Sequence, residues 1–228
     1  MTAGGFDALV PVTDPDALRE QEQAGAALAD AVRELLDATV RTRLDPAQLH
    51  AAIPAVREVT ESLLADAADG PRGLEPSSDG RMRVHGNPMV GALNPFAPPL
   101  RIDWDGERAA TRFTVGAAYE GPPGCLHGGI AAAVLDQVLG VIPSSIGLPA
   151  MTATLDLRYR RPTPLGELSA TAWLVERDGW KLRLEGELTD AEGEVTVSAT
   201  GLFVVPRVAR EHLGTPTGDA GEFAPPAG

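Results

Sequence analysis

From residue 128 to 142 the chain reads GGIAAAVLDQVLGVI, and the only polar side chains in that run are Asp136 and Gln137. A helix apolar nearly all round has to be buried in protein or lipid. About fifteen residues is short for a membrane span, so the pattern predicts a helix inside a protein core. A carboxylate there is costly unless partners compensate, and Asp136 therefore needs a reason for its position. The preceding EGPPGCLHGG (120–129) offers one. Gly-Pro-Pro-Gly ends any incoming strand, and Gly128 and Gly129 leave the unpaired N–H groups of the first helical turn open to close approach. Such a turn can receive an anion or a developing oxyanion, although paired glycines also serve tight helix packing.

The spacing adds a constraint. Gly129 and Asp136 are seven residues apart, which puts them on nearly one helix face but about 10.5 Å apart along the axis. A donor and a carboxylate so separated cannot both reach one carbonyl group. Two such helices packed antiparallel about a two-fold axis would set Gly129 of one copy against Asp136 of the other, twice over. The geometry predicts a homodimer, or a dimer of dimers.

These residues, EGPPGCLHGGIAAAVLDQVLG followed by MTATLDLRYRRPTPLGEL (151–168), resemble the hot-dog-fold thioesterase superfamily. The resemblance is to the acyl-CoA thioesterase branch related to bacterial phenylacetyl-CoA thioesterase, and it covers roughly residues 90–206. HGG alone would be a weak signal. Joined to an Asp nine residues after the His, a Thr sixteen beyond that, and the RRPTPLGE run, it is specific.

The resemblance implies an α+β hot-dog fold, an antiparallel sheet wrapped around a central helix, and hydrolysis of an acyl-CoA thioester without cofactor or metal. It implies that Asp136 acts as general base or nucleophile, that Gly129 supplies the oxyanion N–H with Gly128 beside it, and that Thr152 holds the attacking water. His127 either bonds the thioester carbonyl or orients the loop before the helix. Asn94 would line the mouth of the site, though Asn94-Pro95 also reads as an ordinary turn. Some family members carry Asn or Gln where Gly121 stands, so one amide donor is missing here. Glu120 could be a second carboxylate or a loop cap. A thioester suits so sparse a site, because a thiolate leaves without a strong acid.

Other residues have two readings. Arg158, Arg160 and Arg161, with Arg177, Lys181 and Arg183 nearby, form the main basic cluster. Guanidinium groups could hold coenzyme A phosphates, or the cluster could be a solvated sheet face. Cys125 is the only cysteine and has no evident activating partner, so a small buried thiol is expected rather than a nucleophile. A net charge of −13 argues against nucleic acid and anionic membrane surfaces as partners. The start of the chain lacks the basic and apolar regions of a signal peptide, and no apolar run reaches about eighteen residues, so a cytoplasmic protein is expected. There is no P-loop, no G-x-S-x-G elbow and no metal-spaced His cluster.

Taken in order, Asp14-Pro15 opens an amphipathic helix reaching about residue 44, and Asp45-Pro46 opens a second, kinked or restarted at Pro54. The pair would lay its apolar faces on the following domain, as a dimerisation or packing element or as a lid over the acyl chain. Residues 69–99 read as linker and loop. Strands are expected at 100–104 and 109–115, then after the central helix at 151–159, 168–176, 180–189 and 195–205. The predicted division is a helical extension with linker (1–80), a hot-dog domain (81–206) and a disordered tail (207–228). Two rival functions share the fold: a silent acyl-thioester-binding or regulatory module, and a dehydratase or hydratase.

Overall fold

The computed structural model describes residues 14–73, 75–76, 82–98, 100–213, 215–217 and 222–224. The chain divides into two compact units, residues 1–97 and 98–228. The expected division at 80/81 differs from this because residues 82–97 close onto the helices of the first unit. There Arg33 Nε donates to the Ala97 carbonyl at 3.0 Å. Leu93 also lies against Gly25, so closely that a Cβ at position 25 would stand 2.1 Å from Leu93 Cδ2.

In the first unit, α1 spans Pro15–Arg41 and α2 spans Pro46–Leu64. Asp14 caps α1, accepting from the N–H groups of Asp16 and Ala17. Asp45 and Gln48 form a reciprocal capping box at the start of α2. Pro54 neither ends nor restarts α2, which runs through it. No residue of α2 is buried, whereas Leu18 and Ala29 of α1 are. Two short strands, β1 (Glu75–Pro76) and β2 (Met82–Arg83), pair antiparallel in the stretch read as linker.

The second unit is a helix held against one antiparallel sheet. Its strands are β3 (Asp103–Trp104), β4 (Arg108–Val115), β5 (Met151–Tyr159), β6 (Gly166–Asp178), β7 (Lys181–Thr189) and β8 (Val195–Val204), in the spatial order β3-β4-β6-β7-β8-β5. The β4–β8 strands keep to within two residues of the sequence expectation, while the first strand is shortened to Asp103–Trp104. Alternation sets the core face: Ala109, Phe113 and Val115 of β4, Leu168, Ala170 and Ala172 of β6, Leu182, Leu184 and Leu188 of β7, and Val197, Ala199 and Phe203 of β8 are all buried.

Across that face lies α3, Gly128–Ser145. It is three residues longer than expected, carries Pro143 in its last turn, and reaches the length and hydropathy of a membrane span, which corrects the expectation that no segment would. Seven of its residues are buried, among them Val134, Leu135, Val138, Leu139 and Ile142, so its place is that of a core helix. Burial all round, however, is not found within one chain. Gly129 is exposed, and Asp136, Gln137 and Gly140 are only half-buried. The helix presents one face to the sheet and leaves the Gly129–Asp136 face open.

After β8, α4 covers Arg207–Leu213, and β9 (Thr215–Thr217) pairs antiparallel with β10 (Glu222–Ala224). The remaining tail positions expected to be disordered, 214, 218–221 and 225–228, lie outside the described residues, as do residues 1–13, on which the signal-peptide expectation rests.

Candidate active site

The loop entering α3 is tied down residue by residue. Cys125 N–H donates to the Pro122 carbonyl (2.8 Å), Gly121 N–H to that of Cys125 (2.9 Å), Leu126 N–H to that of Thr163 (2.8 Å) and His127 N–H to that of Tyr119 (2.9 Å). Glu120 Oε1 accepts the Gly124 N–H at 2.6 Å, so Glu120 is a loop cap. Gly124 has φ +73°, a left-handed conformation that accounts for a glycine here. At Gly121 a Cβ would lie 2.7 Å from His127 Cα, so the amide side chain of other family members has no room on this backbone.

His127 is the N-cap of α3, and its Nδ1 accepts the Gly129 N–H at 3.0 Å. The N–H expected to serve the oxyanion thus donates to an imidazole, and His127 caps the start of the helix.

Two turns along the helix, Asp136 Oδ1 accepts a hydrogen bond from Thr152 Oγ1 at 2.8 Å. The contact joins two of the residues singled out in the sequence, one on the helix and one on the strand. It depends on a β-bulge. Thr152 pairs with Phe203, but after the irregularity between Thr152 and Thr154 the pairs are Thr154 with Leu202 and Leu155 with Gly201. The extra residue turns Thr152 to the helix side, the same side as Leu155, Leu157 and Tyr159; simple alternation would have put it with Arg158.

Tyr159, at the far end of β5, donates its hydroxyl to the Gly128 carbonyl at 2.8 Å. That carbonyl and the Gly129 N–H belong to one peptide group, which is therefore held at its oxygen by Tyr159 and at its N–H by His127. The sequence reading missed Tyr159. Its signal was available in the alternation Leu155, Leu157, Tyr159, which sets one hydroxyl on the helix side of an edge strand.

The arginines are not gathered into this site. Arg158 and Arg160 lie on the outer sheet face, around a polar hollow of about 380 Å³ shared with Asp156, Glu185 and Glu187. Arg160 Nε donates to Ser198 Oγ (3.2 Å), and Arg161 pairs with Glu194 at 2.8 Å and with Asp190 at 3.9 Å. Arg183 pairs with Glu176 at 2.8 Å. Within one chain Arg161 and Arg183 are thus paired with carboxylates, as side chains of a solvated face are. Asn94 belongs to the first unit, where its amide donates to the Gly86 carbonyl (3.0 Å) and its Oδ1 accepts the Phe96 N–H (3.0 Å), closing a turn. Cys125 is a half-buried free thiol. Among the described residues no group of His, Cys, Asp and Glu has the arrangement of a metal site.

Comparison with known proteins places this geometry. The sequence model of the thioesterase superfamily matches residues 123–197, which include His127, Gly129, Asp136 and Thr152. Acyl-coenzyme A thioesterase THEM4 of Bos taurus is 35% identical over 102 residues, 44% of this chain and 42% of that protein. The Mus musculus protein of the same name is 32% identical over 100 residues, 43% of each. The chain thus spans less than half the length of these relatives. A crystal structure described as that of a thioesterase superfamily protein is 33% identical, with a TM-score of 0.71 over 85% of this chain and 92% of that one. With likeness in sequence and backbone along nearly the whole of that structure, the chain belongs to the thioesterase superfamily and has its hot-dog fold.

Proposed function

We propose that the chain hydrolyses an acyl-coenzyme A thioester at a site completed by a second copy. The observation that carries this reading is the Thr152–Asp136 pair, a hydrogen-bonded carboxylate on the open face of α3. The Thr152 hydroxyl occupies Oδ1, which leaves Oδ2 to accept a proton from water. The water oxygen attacks the thioester carbonyl carbon while charge gathers on the carbonyl oxygen, and the Gly129 N–H of the other copy receives that oxygen in place of the His127 imidazole. Collapse breaks the C–S bond, and the leaving thiolate takes back the proton that Asp136 had accepted and departs as the free thiol.

Tyr159 is a positioning residue in this scheme. A hydrogen bond to the Gly128 carbonyl fixes the plane of the donor peptide and strengthens its N–H by polarisation. The second copy follows from three features: the separation of Gly129 and Asp136 along one helix, the open face of α3, and the position of β5. That strand is an edge with β8 as its one neighbour, and Met151 and Tyr159 at its ends are 68% and 54% exposed. Coenzyme A as the carrier is supported by the naming of the relatives and by the chain's negative charge, which disfavours an acidic carrier protein. A cytoplasmic setting belongs to the same proposal.

The test is thiol release from short, medium, long and aromatic acyl-CoA thioesters, run beside Asp136→Asn. Turnover that collapses in the variant supports the reading, and the panel names the acyl class. Turnover that survives overturns the role of Asp136. No turnover on any thioester, with thioesters still raising the melting temperature, would indicate a binding module instead.

A further inference from the structure

The run RRPTPLGE (160–167) joins β5 to β6, and residues 160–165 form a strap along the loop that enters α3. Pro162 and Pro164 lack N–H groups, so the strap cannot continue a strand ladder and must be held by other bonds. On one side it holds the loop. The Thr163 carbonyl accepts the Leu126 N–H at 2.8 Å, the Leu165 N–H donates to the Gly124 carbonyl at 3.1 Å, and Cys125 and Pro164 form an isolated bridge. Leu126 precedes His127, the cap of α3, and Tyr159, the last residue before the strap, holds the Gly128 carbonyl.

On its other side the strap is tied to the sheet by two hydroxyls inside the core. Thr163 Oγ1 donates to Thr196 Oγ1 at 2.9 Å, and Thr196 Oγ1 donates to the Leu188 carbonyl at 3.1 Å. A carbonyl can only accept, so the one hydroxyl hydrogen of Thr196 goes to Leu188 and that of Thr163 must go to Thr196. Thr163 is 5% exposed and Thr196 fully buried. A bulge turns Thr196 inward: Leu188 pairs with Val197 and Thr189 with Val195, which leaves Thr196 as the extra residue of β8, buried beside Val197. A buried hydroxyl without a partner is costly, so Thr163 stays where Thr196 can receive it. The Thr196 carbonyl also accepts the Arg160 N–H at 2.8 Å. The Arg161–Glu194 pair ties the strap to the turn before β8, but both side chains are solvent-exposed and such pairs hold weakly.

We propose that Thr163 is a positioning residue for the oxyanion donor: its hydroxyl, bonded to Thr196, fixes the strap, and the strap fixes the backbone from Leu126 to Gly129 that carries the donor N–H. The inference rests on the proposed hydrolysis and on Gly129 as its donor. A misplacement of about 1 Å caused by a residue outside the chemistry can cost about 10²-fold in rate, and the loss falls on kcat where ground-state binding is unaltered. The test is thiol release by Thr163→Val and Thr163→Ser, on the acyl-CoA of the panel that the native protein hydrolyses fastest. Valine keeps the branched shape and removes the hydroxyl, whereas serine keeps the hydroxyl. A kcat lowered about threefold or more in Thr163→Val with KM unchanged, and restored to within about twofold in Thr163→Ser, supports the role. A smaller loss in Thr163→Val, an equal loss in both variants, or a loss carried by KM overturns it, whatever the melting temperatures.

Hydrogen exchange of the unmodified protein guards against a Thr163→Val protein that fails to fold. Leu126 and Leu165 amides protected to within about tenfold of the β7 and β8 amides support a strap locked to the sheet, and faster exchange than that overturns it. The two proposals fail separately. A native kcat in Thr163→Val beside an inactive Asp136→Asn removes the role of Thr163 and leaves the hydrolysis at Asp136. Turnover that survives Asp136→Asn, yet is lost in Thr163→Val and restored in Thr163→Ser, does the reverse. No turnover of any thioester by the native protein overturns both.

Discussion

If each site takes its carboxylate from one copy and its oxyanion donor from the other, two inactive variants should restore each other. The carboxylate is removed by Asp136→Asn. The donor is removed by Gly129→Pro, since proline lacks the N–H and is tolerated in the first turn of a helix. A Cβ at position 129 stands 3.2 Å from the His127 imidazole, which can yield by turning about its side-chain bonds. Each homodimer then has two broken sites, with turnover reduced by about 10²–10³ for loss of the donor. In a mixed dimer one site contains both changes and the other contains neither. Random pairing of equal amounts makes about half the dimers mixed, each with one intact site, so activity should return to about a quarter of the native value. The assay is thiol release from co-expressed, differently tagged variants, purified through both tags in succession; that mixed fraction should reach about half. Activity no greater than that of either homodimer would refute the shared site and place donor and carboxylate in one chain.

Tyr159→Phe keeps the ring beside Gly128 and removes one neutral hydrogen bond worth about 0.5–1.5 kcal/mol, so kcat should fall about 2–10-fold with KM unchanged, and a rise in KM alone would contradict the positioning role. Gly121→Ala places a methyl group 2.7 Å from His127 Cα, and a loss of about 1–3 kcal/mol in chemical denaturation is expected; unchanged stability would show that the loop yields freely. Asp105 lies in the turn between β3 and β4, where the N–H groups of Arg108 and then Glu107 hold its carboxyl below its ordinary value of 3.8. A depressed carboxyl contributes stability that is present above the unfolded value and lost as pH falls through the folded one. The melting-temperature gap between the native protein and Asp105→Asn should therefore close below about pH 4, and a gap constant with pH would rule the mechanism out.

Much of the second unit was legible because its signals are local. The β5 limits, Met151–Tyr159, coincide with the run of alternating residues, and α3 begins at the two glycines that announced it. Asp136 and Thr152 were singled out together only through family resemblance, and their direct hydrogen bond was not foreseen. Sixteen residues of separation carry no geometry by themselves, and the bulge that turns Thr152 inward has no clear mark in TATL. His127 as a cap and Glu120 as a loop tie were each one of two readings, because a side chain that meets a nearby N–H looks the same in sequence as one awaiting substrate. The hairpin helices were found by their caps.

The strand order also bears on how the chain is made. β5 leaves the ribosome soon after α3, yet its sheet neighbour β8 is the last strand of the sheet to be synthesised. At ~5–20 residues per second, the apolar side of α3 waits several seconds for its cover to be complete. During that interval the nascent chain displays a helix that meets the length and hydropathy of a membrane span. A chain stalled before residue 195 would keep displaying it, offering an apolar segment to chaperones and to the targeting machinery that reads such segments.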